Sequence, residues 1–228
     1  MRIKVSLHDK SYNEDTYVRE SHNCYSYLLN LKSEAAKKLC VKELKYNEIC
    51  RRSQPGYVAG FPSLKVKDFN CPEIIKRTLA DNKSIKRSTF EKRCPADTYK
   101  GAIVVAPGRD YHYYRLNDEG YWTHKPGYKP STAYDAKNNL IQNPEVASRD
   151  YGSLNYKDFC GYICVPRDPS QKHMSHYNPI DDRMPNITQE YNQRPLPTRK
   201  RRNRNVRTGK RINKNKKNKI LNEYKDSL

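Results

Sequence analysis

Apolar residues crowd most tightly at 102–106, Ala-Ile-Val-Val-Ala, which reads as a buried strand. Pro107-Gly108 ends it. Residues 110–116 alternate around Tyr and His and read as a second strand. Residues 117–120 form a turn, 121–124 a third strand, and Lys125-Pro126-Gly127 stops that strand. The turn decides which side chains share a face. Gly120 at the third position of a three-residue loop favours a left-handed residue and a bulge. Leu116 then opposes Trp122 and Tyr114 opposes His124. His112, Trp122 and His124 share one face, with the two imidazoles roughly 5–8 Å apart. A half-exposed aromatic ribbon with ordinary polar histidines has the same pattern.

The rest of the chain is less periodic. Residues 1–7 alternate as a short strand, and 9–20 are polar and loop-like. Ser21 or Asn23 can cap a helix starting near Cys24, with Tyr25, Leu28 and Leu29 as its apolar face. Residues 34–49 predict a helix striped by Ala36, Leu39, Cys40 and Leu44. A Pro/Gly-rich loop spans 54–63. Pro72 suits the first turn of a helix over 71–79. Residues 81–93 read as a basic surface connector. Residues 128–150 form a long polar loop, 159–165 return to strand, and 168–197 read as an irregular linker.

Composition places limits on this picture. Hydrophobic residues make up only 35% and mean hydropathy is −1.09, so part of the chain is outside any core. Nineteen Tyr supply large apolar bodies with polar tips. No apolar run approaches the roughly 18 residues of a membrane helix, and residues 1–10 lack the apolar block of a signal peptide. A soluble intracellular protein is the expectation. Seven Cys at 24, 40, 50, 71, 94, 160 and 164 then default to reduced thiols. Three disulfides and one free thiol are the alternative, requiring an oxidising compartment or a late-packaged virion.

Net charge is +20, and residues 198–228 hold 13 Lys+Arg against 2 acids. Such a tail cannot bury a core and is expected to bind polyanions without sequence preference. Its contacts would be Arg199, Lys200, Arg201, Arg202, Arg204, Arg207, Lys210 and Arg211. It also resembles a bipartite nuclear-import signal.

One constellation carries reaction chemistry. A nucleophilic thiol needs a base and a group that orients the base. Cys24 at a helix start, where the positive helix end lowers thiol pKa, can pair with His112. His124 is the first choice for the third member and Asp135 the second. A buried structural Cys24 is the competing reading. Cys160-x-x-x-Cys164 and His173-x-x-His176 have metal-ligand types at gaps unlike the common zinc spacings. In a strand, Cys160 and Cys164 would face the same side as two buried small residues. No metal or other cofactor is expected.

The segments N-C-x-S-Y, D-Y-H-Y-Y-R and Y-W-T-H-K-P-G resemble the papain-like thiol peptidases and related bacterial cell-wall amidases over residues 20–165. They are also similar to uncharacterised proteins of giant DNA viruses and bacteria. The resemblance implies Cys24 as nucleophile, His112 as base and His124 as third member. No Gln stands upstream of Cys24, where the papains have one. The expected architecture is an α+β papain-like domain at 1–167, with N-terminal helices on a small antiparallel sheet. A linker at 168–197 and a basic disordered tail at 198–228 follow. The expected function is a cysteine peptidase or amidase acting on a protein or peptide substrate and tethered to nucleic acid. A non-enzymatic virion or nucleic-acid-associated structural protein is the alternative. The expected location is the virion, or the host nucleus or cytoplasm.

Overall fold

Residues 9–178 and residue 180 are described in the computed structural model of the chain. The expected strand at 1–7, the linker beyond 180 and all eight basic tail residues lie outside the described residues. Among the described residues, five α-helices and five strands form an α+β body: α1 (Lys10–Asn13), α2 (Thr16–Ser21), α3 (Cys24–Leu29), α4 (Glu34–Lys45), α5 (Cys71–Asp81), β1 (Lys86–Ser88), β2 (Thr98–Ala106), β3 (Asp110–Leu116), β4 (Trp122–His124) and β5 (Asp158–Pro166). The strands form one antiparallel sheet in the order β1-β5-β2-β3-β4.

The central hairpin has the expected register. Leu116 opposes Trp122 and Tyr114 opposes His124, with Gly120 at φ +82°. One sheet face carries Ile103, Val105, Tyr111, Tyr113, Ile163 and Val165 and packs on Leu28, Leu29, Ile74 and Ile75 of α3 and α5. The other carries Ala102, Val104, Tyr114, Trp122 and Tyr162, covered by Ile141 of the long loop and by Leu154 and Tyr156, which follow it. Alternation along each strand thus fills two cores.

Four expectations fail for physical reasons. Residues 9–20 are not a loop: Asp9 and Asp15 cap α1 and α2 by accepting from backbone N–H groups, and buried Tyr12 and Val18 anchor them. The stripe of α4 is Ala36, Cys40 and Glu43, while Leu44 is exposed. The segment from 168 begins with a 3-10 turn, Pro169–Gln171, and then folds onto the body. There His173 N–H donates to Asn82 Oδ1 at 2.6 Å, and His176 and Asn178 are buried. Polar residues hold this segment, so hydropathy does not reveal it. Residues 81–93, expected as a connector, contribute edge strand β1.

The cysteines overturn the reduced-thiol expectation. Cys40–Cys50, Cys71–Cys160 and Cys94–Cys164 are disulfides with Cα atoms 4.8, 5.1 and 5.6 Å apart, and Cys24 is the one free thiol. Cys160 and Cys164 do not face the same side. The β2–β5 register shifts at Ile103/Val104, and Gly161 sits at φ +121°. The resulting bulge turns Cys160 to the α5 face, where Cys71 waits.

Gly101 decides how closely α3 approaches the sheet. A Cβ there would lie 2.5 Å from Leu28 Cδ1 and 3.3 Å from Ile163 Cγ1. Leu28 is fully buried, so it has no free direction to yield. Gly101→Ala is expected to cost about 1–3 kcal/mol in urea unfolding. An unchanged midpoint would refute the tight seating of α3.

Candidate functional site

The site lies where α3 meets the flank of β3. β4 pairs only with residues 114–116, so residues 110–113 have no strand on that side. The Cys24 end of α3 comes up to this open flank. Asn23 caps the helix: its Oδ1 accepts from Tyr25 N–H at 3.2 Å and Ser26 N–H at 3.3 Å. Its Nδ2 donates to Ser53 O at 2.8 Å, binding the helix start to the following loop. Cys24 Sγ lies 3.9 Å from Tyr111 O, to which the thiol donates. That carbonyl belongs to the residue just before His112.

Cys24 and His112 both line a cavity of about 440 Å³, together with Arg52, Gln54, Asp110 and Tyr156. The side chain of His112 leaves β3 on the face opposite Tyr111 and Tyr113, so the cavity joins the two sides around the open strand flank.

The sequence expected His112 and His124 to share a face, and they bond directly: His112 Nε2 and His124 Nδ1 are 2.8 Å apart, with ring centroids at 4.9 Å. His124 Nε2 is 2.9 Å from Tyr134 O. The carbonyl can only accept, which fixes the tautomers by the bonding network. His124 carries its proton on Nε2 and accepts at Nδ1. His112 therefore carries its proton on Nε2 and keeps the lone pair on Nδ1. That nitrogen makes no hydrogen bond among the described residues.

The electrostatics differ from an ion pair. Burial pushes the Cys24 thiol up, and the Asp110 carboxylate pushes it further. A helix of six residues does not offset this, so the expected lowering is reversed. Burial also drives His112 well below the usual imidazole range and His124 to about 4. The resting cavity is lined by a neutral thiol and a neutral imidazole. Lys125 sits behind the site, fully buried, and donates to Arg19 O at 2.6 Å and Gly127 O at 2.7 Å. Burial lowers it to about 7.

Asp135 does not join the histidines. Its carboxylate accepts from Lys137 N–H, Asn139 N–H and Ser148 N–H at 2.9, 2.9 and 3.0 Å, and so organises its own loop. His173 and His176 do not form a metal pair: His176 Nε2 donates to Ser21 O at 3.1 Å. Among the described residues no group of three or more His, Cys, Asp or Glu is placed to hold a metal ion. No helix of the described residues is long and apolar enough to cross a membrane.

Two cavity residues escaped the sequence reading. Gln54 is half-buried, and its amide makes no hydrogen bond among the described residues. It follows a loop tied by Cys40–Cys50, and nothing in its local sequence signals the cavity. The signal for Asp110 was present but unused: alternation places residues 110, 112 and 114 on one face.

No protein-family profile matches the chain, and no solved structure matches it. Among curated proteins the chain is similar to insoluble matrix shell protein 1 of Ruditapes philippinarum, 27% identical over 149 residues. The match covers 65% of this chain and 82% of that protein.

Proposed function

We propose that the chain is a papain-like cysteine hydrolase that cleaves an amide bond through Cys24. The observation that carries this reading is one cavity bordered by the only free thiol and by an imidazole whose tautomer leaves Nδ1 unprotonated. In the reaction, His112 Nδ1 takes the thiol proton as sulfur attacks the carbonyl carbon. It then gives that proton to the leaving amine, and water hydrolyses the thioester. His124 acts as a positioning residue. The N–H of Cys24, first in its helix, and the Gln54 amide are the donors for the developing oxyanion.

Three disulfides favour an oxidising location over the cytosol or nucleus. The basic tail, outside the described residues, would bind an anionic polymer there, nucleic acid being one such polymer. The shell-matrix relative favours a second reading, a non-enzymatic matrix component in which Cys24 is a buried core thiol.

Iodoacetamide separates the two readings, because any single adduct on the native protein must be Cys24. The hydrolase reading expects alkylation near pH 8 that falls at least about tenfold in His112→Ala. Equal rates in both proteins, or no adduct until the chain is unfolded, would refute it.

A further inference from the structure

Lys83, Lys86, Arg87, Lys92 and Arg93 crowd into one short run of chain, the edge strand β1 and the residues on either side of it. All five are exposed, and none forms an ion pair among the described residues. Of their side chains only that of Lys86 makes a hydrogen bond there, donating to Lys83 O at 3.0 Å. Glu91 is the one acid in the run, and its charge acts on Lys100 of β2. Among these cations stands Phe90, 41% exposed. Its backbone is held in place. Buried Lys100 Nζ donates to Thr89 O at 2.8 Å and to Phe90 O, and Lys92 N–H donates to Thr89 Oγ1 at 3.2 Å. The Phe90 ring lies 5.6 Å from the ring of buried Tyr162, and Cys94–Cys164 ties the end of the run to β5. Cations on an edge strand guard it against pairing with another sheet, which accounts for Lys86 and Arg87. It does not account for Lys92 and Arg93 beyond the strand, nor for a fixed, half-open aromatic ring between the two groups.

We propose that residues 83–93 form a docking surface for an acidic polysaccharide. The five cations take its carboxylate or sulfate groups, and the Phe90 ring takes the C–H face of a sugar. Charge alone fits any polyanion, and two observations favour the sugar. Three disulfides favour an oxidising location, away from the compartments that hold nucleic acid. A groove for single-stranded nucleic acid stacks successive bases on several rings, whereas Phe90 is the one exposed aromatic of this run. None of these residues lines the Cys24 cavity, so the inference stands whether or not Cys24 is a nucleophile.

The test measures the Kd of the full chain, disulfides intact, for heparin by titration calorimetry in about 0.15 M salt. The double variant Arg87→Ala, Arg93→Ala is expected to raise Kd about five- to tenfold. Neither side chain touches another described residue, so this variant keeps its fold. The control Lys38→Ala, Lys45→Ala removes the same charge from exposed positions on α4 and is expected to change Kd by about twofold or less. Phe90→Ala is expected to raise Kd about threefold with the salt dependence unaltered, because the ring supplies a contact without charge. Equal losses in the two double variants overturn the proposal, since attraction to the net charge of the whole chain then suffices. An unchanged Kd in Phe90→Ala overturns it as well. Neutral dextran is expected not to bind, and dextran binding as tightly as heparin refutes the role of the cations. Oligothymidylate binding as tightly as heparin, with the same losses in the variants, makes the surface one for nucleic acid and overturns the assignment to a polysaccharide.

Discussion

The protein is expected to unfold sharply on acidification, with a midpoint between about pH 4 and 5 at 25 °C. Four histidines are buried in neutral form. His22 is held down to about 3, His124 and His176 to about 4, and His112 well below the usual range, in each case chiefly by burial. Their geometry needs the neutral ring. His22 Nε2 accepts from Ser33 N–H at 2.8 Å, at the cap of α4, and His124 Nδ1 accepts from His112. The folded values lie below the unfolded one, so the unfolded chain binds protons first. Stability is full above about pH 6.5 and declines as pH falls from there toward the folded values. At pH 5 His22, His124 and His176 each remove about 2 kcal/mol, together ~6 kcal/mol, and His112 acts in the same direction. That is comparable to the whole stability of an ordinary domain, about 5–15 kcal/mol. Asp81, Asp110 and Glu43 work in the other direction, because burial raises their carboxyls and the folded state takes up their protons more readily. Their effect begins at the raised folded values, above the ordinary carboxylate range, and so offsets part of the histidine loss. Trp122 is buried and reports the transition by fluorescence. An unaltered spectrum and unaltered urea midpoint down to pH 4 would contradict the burial of these rings.

The central hairpin was legible because its information is local. Gly120 selects the loop, the loop selects the register, and period-2 alternation then puts His112, Trp122 and His124 together. The helix at Cys24 was legible through Asn23, and the helix at Cys71 through Pro72. What the sequence hid is long-range. The disulfide pairs link residues up to 89 positions apart, and spacing alone cannot choose among pairings. The bulge at Gly161 moves Cys160 to the other face, and simple alternation misses it. Helices α1 and α2 have only 4 and 6 residues, too short for periodicity; two aspartate caps and contacts such as Tyr12 Oη donating to Leu31 O at 3.0 Å hold them.

The site shows the same division. Residue types and order indicated Cys24 and His112. The thiol's environment was illegible, since the helix-end argument counts a local dipole and omits the burial supplied by the Tyr111 side of the sheet. As third member, Asp135 stood second to His124. Tertiary placement separated them, giving His124 the bond to His112 and Asp135 three backbone donors of its own loop.

On the proposed hydrolase reading, His112→Ala is expected to lower Cys24-dependent amide hydrolysis by about 10²–10⁴ in kcat, the range of a positioned general base. The effect is large here because the resting pair is neutral. With the thiol pushed up by burial and by Asp110, no standing thiolate is ready to react, so each turnover needs a base in place. His124 acts only through His112. In His124→Ala the Nε2 proton of His112 loses its acceptor, and the ring is free to place its proton on Nδ1, where it cannot serve as base. His124→Gln offers an amide oxygen to the same proton and is expected to recover part of the rate lost in His124→Ala. A merely structural His124 would give no such rescue, and the two variants would track each other in thermal stability and rate alike. Comparable kcat for His112→Ala and the native protein, with the disulfides intact in both, would remove the imidazole from the reaction. Cys24 would then be an inert buried thiol, and the matrix reading would be favoured.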